Sequence, residues 1–205
     1  MGATQFESYA KNYRNRFIGF LQQLDLGAVA TAAEVLMRAC QEGRRIYLVG
    51  NGGSAAIASH FAIDFLNVNR EWKGEKPFRV TSLADNLSVV TALGNDEGFE
   101  NIFVRQLERY FEQGDVLIAI SASGHSPNII NAVEYANRKE GITVGLVGFD
   151  GGVLKGLCRH LIHVATPVGE YGHVEDSFAF LDHLLTTYFF RMVNDRFLNQ
   201  CNQSN

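Results

Sequence analysis

Two short stretches of the chain gather groups that bind anions. The first, Gly50-Asn51-Gly52-Gly53-Ser54, places three glycines within four positions, behind an apolar run over 46–49 and ahead of a helix-compatible run over 55–58. This reads as strand, tight turn and helix start, with Ser54 placed as the cap. Glycine backbone lets bare N–H groups approach a ligand, and the open end of a helix adds unpaired donors and the positive end of a dipole. The second stretch, Ser121-Ala122-Ser123-Gly124-His125-Ser126, follows an apolar run over 115–120 and leads into Pro127, a residue suited to a first helical turn. Three hydroxyls and a helix start can hold a phosphate without any lysine.

Two nucleotide-binding patterns do not fit. A P-loop needs a Lys-Ser/Thr pair after its glycines, and none follows Gly53. A dinucleotide fold wants G-x-G-x-x-G and an acidic residue ending the second strand. The window from Gly50 ends on Ala55, and the run over 78–83 carries no acid. The expected guest is a phosphate, without a nucleotide cofactor.

Proton-moving or metal-binding groups come next. His60 and Asp64 stand four apart and share a helix face just downstream of the glycine turn. An imidazole and a carboxylate together can transfer a proton or hold a divalent ion. His183 sits among Leu181, Leu184 and Leu185, where a buried, satisfied core histidine is the ordinary occupant. His125 could touch a ligand, and His173 could line a cleft entrance; His160 and His163 have weaker cases.

The elements that must position these groups follow from periodicity. Residues 4–42 read as two helices, broken at Leu26-Gly27 and stopped at Gly43. The first carries an aromatic stripe (Phe6, Tyr9, Tyr13, Phe17, Phe20) that must bury against the domain or another subunit. Helices are expected from Ser54 to about 67, over 85–93, over 98–111, from Pro127 to Gly141, and from Val174 to Phe197. A turn over 94–98 and a short helical segment from Gly151-Gly152 lie between them. Strands are expected over 46–49, 78–83, 115–120, 142–147 and 161–165. Continuously apolar strands alternating with helices imply a parallel, doubly wound α/β sheet covered on both faces. Ligands then sit at the carboxyl ends of the strands, where both glycine turns fall.

With 205 residues and 46% apolar content, one domain with a sizeable core is expected. A formal charge of −4 argues against direct nucleic-acid binding through a basic surface. The three cysteines, Cys40, Cys158 and Cys201, are far apart and read as reduced thiols of a cytoplasmic protein. No signal-peptide core or membrane span is read.

The combination of Gly50-Asn51-Gly52-Gly53-Ser54, His60-Phe61-Ala62, Gly94-Asn95-Asp96, the serine turn at 121–126 and a last helix with Glu175 and His183 resembles the sugar isomerase (SIS) family. More narrowly, it resembles the sedoheptulose-7-phosphate (phosphoheptose) isomerase group. The resemblance covers nearly the whole chain. It implies a single flavodoxin-like SIS domain, with helices at 1–43 as an oligomer interface, the phosphosugar domain at 44–198 and a tail at 199–205.

The resemblance also implies a homotetramer with active sites between subunits and a phosphorylated sugar as substrate. Substrate contacts would come from Asn51, Gly52, Gly53, Ser54, Asn95, Asp96, Ser121, Ala122, Ser123, Ser126 and Glu175, with the phosphate on the four serines. Asp64 and His183 take the catalytic positions, and His60, Asp64, Glu175 and His183 would hold one Zn²⁺ per subunit. The implied reaction turns sedoheptulose 7-phosphate into D-glycero-D-manno-heptose 7-phosphate through an enediol. The alternatives are another sugar phosphate, or a non-catalytic SIS module that binds a phosphosugar or a protein partner such as a replication initiator.

The chain departs from the family at Asp64, one methylene shorter than the usual glutamate. Ala122 replaces a usual threonine, and Glu175-Asp176 a usual glutamine-glutamate pair. Spacing adds a constraint. Glu175 and His183 stand eight apart, about 12 Å of rise on a continuous helix. They could reach one ion only if Glu175 precedes the helix or the two come from different subunits.

Overall fold

The computed structural model describes residues 2–72 and 74–193. Helices α1 (Ala3–Gln22) and α2 (Leu26–Glu42) come first. The break between them falls just before Leu26. The Asp25 carboxylate accepts from the Gly27 and Ala28 amides at 2.8 and 3.1 Å, so Leu26-Gly27 opens α2 instead of interrupting it. Gly43 ends α2 in the left-handed conformation, as its position predicts.

Five strands form one parallel sheet: β1 (Arg45–Gly50), β2 (Arg79–Ser82), β3 (Val116–Ser121), β4 (Ile142–Val147) and β5 (His160–His163). Their spatial order is β2-β1-β3-β4-β5, the flavodoxin-like winding. The order reverses between β1 and β3, so the switch point lies where both glycine turns emerge.

Alternation along the strands divides the core. Ile46, Leu48, Ile118 and Ile120 face α2, α3 (Gly53–Glu71) and α8 (Tyr171–Val193). Tyr47, Val49, Leu117 and Ala119 face the opposite layer, made of α4 (Leu87–Asp96), α5 (Val104–Tyr110), α6 (Pro127–Arg138) and α7 (Leu154–Leu157).

Several boundaries differ from the sequence reading. Gly52 takes φ +53° and becomes the residue before α3, so Ser54 lies inside the helix and caps nothing. The expected turn over 94–98 is shorter. Asn86 caps α4 through the Val89 amide, and the helix runs on through Gly94 and Asn95 to Asp96. A 3-10 turn, Phe99–Asn101, then separates α4 from α5. The last helix starts at Tyr171, three residues early, and its expected end at Phe197 lies outside the described residues, as do Cys201 and the tail. Burial pushes the Cys40 thiol up to about 11 and the Cys158 thiol up to about 12, which favours the thiol over the nucleophilic thiolate. Among the described residues no helix is long and apolar enough to cross a membrane.

Helix α1 has no buried residue of its own. It is fastened to the start of α8 by polar contacts. Tyr13 donates to Asp176 at 2.7 Å, Arg16 pairs with Glu170 at 2.6 Å, and the Tyr13 ring stacks on His173 with centroids 4.0 Å apart. Phe6 and Tyr9 remain 67% and 64% exposed, so the outer half of the aromatic stripe is left uncovered.

Candidate active site

Helices α3 and α8 run parallel, side by side, with a constant register. A Cβ on Gly53 would collide with the Glu175 carboxylate, His60 faces Asp182, and Asp64 faces Thr186. Each pair is offset by the same sequence interval, so the groove between the helices carries two stations. They stand seven positions apart on both helices, about 10 Å of rise.

The first station is at the switch point. Asn51, Ser54, Ser121, Ser123, Ser126, Tyr171 and Glu175 line a cleft of about 170 Å³, together with Ile120 and Ala122. The two turns are bolted together: Asn51 donates to Asn128 at 2.9 Å and Asn128 donates back at 2.8 Å. That exchange commits the Asn51 side chain to holding the turns. Ser121 accepts from the Gly124 amide at 3.1 Å and Ser123 from the His125 amide at 3.2 Å, so each hydroxyl keeps its proton free to donate into the cleft. Hydroxyls, turn amides and the start of α3 form a neutral anion cradle.

The second station brings together His60, Asp64, Asp182 and His183, which can each offer one ligand atom within 4.8 Å of the others. His60 Nε2 lies 3.8 Å from Asp64 Oδ1, His183 Nε2 lies 3.9 Å from Asp64 Oδ2, and His60 Nδ1 lies 3.7 Å from Asp182 Oδ2. The two imidazoles meet edge to face, 5.0 Å apart. Side-chain exposure falls from 55% at His183 and 43% at His60 to 23% at Asp64 and nothing at Asp182, so the station opens to solvent from a buried floor. Neither Asp182 oxygen has a hydrogen-bond partner among the described residues. Burial first, and the Asp64 charge second, push Asp182 up to about 8. The donor set suits a divalent ion such as Zn²⁺, because two imidazoles and two carboxylates converge and a buried carboxylate stands without a partner.

The structure therefore places Asn51, Gly53, Ser54, Ser121, Ala122, Ser123, Ser126 and Glu175 around the first station, with Gly52 in the turn that leads into α3, and His60, Asp64 and His183 at the second. His183 is exposed, unlike the core histidine its apolar neighbours suggest. Glu175 lies inside α8, so both it and His183 belong to one continuous helix, and within one chain Glu175 stays at the cleft. Asn95 and Asp96 pair with each other at 2.7 Å at the end of α4 and do not line the cleft. His173 does not line the entrance either: it is buried, contacting Glu170 at 2.9 Å and the Tyr13 carbonyl at 3.1 Å.

Sequence reasoning missed Asp182. The signal was a lone charge on the buried stripe of Val174, Phe178, Leu181 and Leu185.

The sequence matches the SIS domain family over residues 8–148. It is 39% identical over 157 residues to a phosphoheptose isomerase of a Nitratiruptor species, covering 77% of this chain and 82% of that protein. Among solved structures, phosphoheptose isomerase GmhA from Neisseria gonorrhoeae superposes with a TM-score of 0.81 at 27% identity, over 90% of this chain and 98% of that one. A phosphoheptose isomerase from Francisella tularensis gives 0.79 at 28% identity, over 92% and 98%.

Proposed function

The chain belongs to the SIS domain family, and we propose that it is a sugar-phosphate isomerase whose substrate lies along the groove between α3 and α8. Its reaction interconverts sedoheptulose 7-phosphate and D-glycero-D-manno-heptose 7-phosphate, in keeping with its phosphoheptose isomerase relatives. The observation that carries the groove assignment is the spacing of the two stations. An anion cradle and a cluster of imidazoles and carboxylates, about 10 Å apart on parallel helices, suit the two ends of an open-chain phosphosugar.

The chemistry divides between the stations. The serine hydroxyls and turn amides hold the phosphate and thereby fix the far end of the sugar, which lowers the entropy cost of bringing the carbonyl end to the cluster. Asp64 removes the proton from the carbon beside the ketose carbonyl, and the carbonyl oxygen gains a proton as the enediol forms. His183 carries protons to and from the oxygens, and returning a proton to the former carbonyl carbon completes the aldose. His60, Asp64 and His183 would hold a divalent ion, and when bound it supplies a Lewis acid for the carbonyl oxygen. Glu175 borders the cleft, where it can orient sugar hydroxyls.

The exposed outer face of α1 supports a homotetramer in which this stripe meets another copy. The protonated Cys40 and Cys158 thiols suit a reducing, cytoplasmic setting. The test is aldose formation from a panel of five-, six- and seven-carbon ketose phosphates. The seven-carbon substrate should be turned over with the highest kcat/KM, and a preference for a shorter sugar would reassign the substrate.

A further inference from the structure

A buried carboxylate with no partner is expensive, and a fold retains one only where something else offsets its cost. Asp182 is such a group. Its side chain is wholly buried in α8, and neither oxygen is hydrogen-bonded among the described residues. Its nearest counterpart, His60 Nδ1, stands 3.7 Å away, beyond the 2.7–3.2 Å of a good hydrogen bond. The neighbouring gaps are alike, 3.8 Å from His60 to Asp64 and 3.9 Å from His183 to Asp64. Groups that merely stabilised one another would close to bonding distance. Donors sharing a tetrahedral ion with bonds of about 2.1 Å instead stand about 3.4 Å apart. His60 reaches Asp64 and Asp182 through different ring nitrogens, and only one of them can bind an ion; with one ligand atom taken from each residue, all four lie within 4.8 Å of one another.

Position separates Asp182 from Glu175. Asp182 lies on the same face of α8 as the cluster and opposes His60 directly. Glu175 sits one station away, packed against Gly53.

We propose that Asp182 is a metal ligand, completing with His60, Asp64 and His183 a divalent-cation site drawn entirely from one chain, while Glu175 serves the phosphosugar cleft. The proposal rests on the reading that a divalent ion belongs at this station, and it names which residue closes the ligand set. A site closed within one chain binds its ion without help from a second subunit. It also gives the buried carboxylate the partner that the protein alone withholds.

The test uses the full chain, stripped with chelator and titrated with Zn²⁺ and, separately, with Co²⁺. Affinity comes from competition with a chromophoric chelator, and ligand geometry from the Co²⁺ absorption bands. Asp182→Asn keeps the shape and removes the charge. It should weaken Zn²⁺ binding by more than about tenfold, the lower bound for partners one shell further out, and should alter the Co²⁺ bands. Glu175→Gln should leave both unchanged.

Without metal, Asp182→Asn and Asp182→Leu should melt at or above the wild-type temperature, because each removes a buried carboxyl that has no hydrogen-bond partner among the described residues; Asp182→Leu serves as the non-binding control if the amide fails to fold. Wild-type binding that survives Asp182→Asn but is lost in Glu175→Gln would overturn the assignment of Asp182 and leave the metal reading standing. A wild-type chain that binds neither ion would overturn both.

Discussion

Glu175 fills the space above Gly53: a Cβ built on that glycine would run into its carboxylate. Gly53 is the first residue of α3, and its backbone needs no left-handed conformation, so alanine is sterically acceptable to the helix itself. Only the flexible end of Glu175 must move. Gly53→Ala should therefore leave the melting temperature unchanged or slightly raised while displacing Glu175 from the cleft. A displacement of about 1 Å at a positioning group costs on the order of 10²-fold in turnover. Full activity in a stably folded Gly53→Ala variant would remove Glu175 from the site.

The phosphate cradle predicts a loss of binding without a loss of fold. Ser121 and Ser123 use their oxygens to accept turn amides and keep a proton for the guest. Each hydrogen bond to a charged group is worth about 1.5–3 kcal/mol, so Ser121→Ala with Ser123→Ala should raise the Kd for a phosphosugar by at least tenfold. Calorimetry on a sugar phosphate and its unphosphorylated parent distinguishes the cause. Equal weakening of both would show that the turn itself had collapsed.

Acid should release α1 before the sheet. The hydrogen bond from Arg16 first, and His173 second, hold Glu170 below the ordinary glutamate value of 4.5. A depressed carboxyl contributes stability that is present above the ordinary value and lost as pH falls through its lower folded value. Protection factors of the α1 amides, exchange rates corrected for the intrinsic effect of pH, should fall in that acidic window while the amides of β1 and β3 stay protected. Glu170→Gln should make α1 protection independent of pH there. Protection of α1 that stays flat in the wild type would show that this contact does not hold the helix.

The uncovered half of the α1 stripe predicts assembly. Sedimentation at micromolar concentration should show a tetramer, and Phe6→Ser with Tyr9→Ser should lower its mass, because those two rings stand 67% and 64% exposed in one chain. A wild-type monomer would contradict the proposed interface.

The sheet and its two turns were legible because they depend on local signals: continuous apolar runs, glycines at the strand ends and Pro127 at a helix start. Strand β4 falls where the sequence put it, at Ile142–Val147. Errors arose where two local devices compete. Gly52 took the position before α3 that Ser54 suits chemically, because that turn needs a positive φ. Asn95 and Asp96 looked like turn residues, yet α4 continues through them. The pairing of His60 with Asp64 follows from helical spacing within one element. Asp182 and the position of Glu175 depend on how α3 and α8 lie against each other, and no spacing within either helix encodes that register.

The central claim is that the cluster beside the phosphate cradle abstracts a carbon-bound proton. It is tested most directly by following solvent deuterium into the aldose formed from sedoheptulose 7-phosphate, in the wild type, Asp64→Asn and His183→Gln. The wild type should place deuterium on the former carbonyl carbon. Each variant should lose about 10²–10⁴-fold in turnover while binding the phosphosugar nearly as well, the range expected when a general base or acid is removed. Variants that turn over like the wild type, or a wild type that binds the sugar phosphate and never exchanges deuterium, would contradict the account.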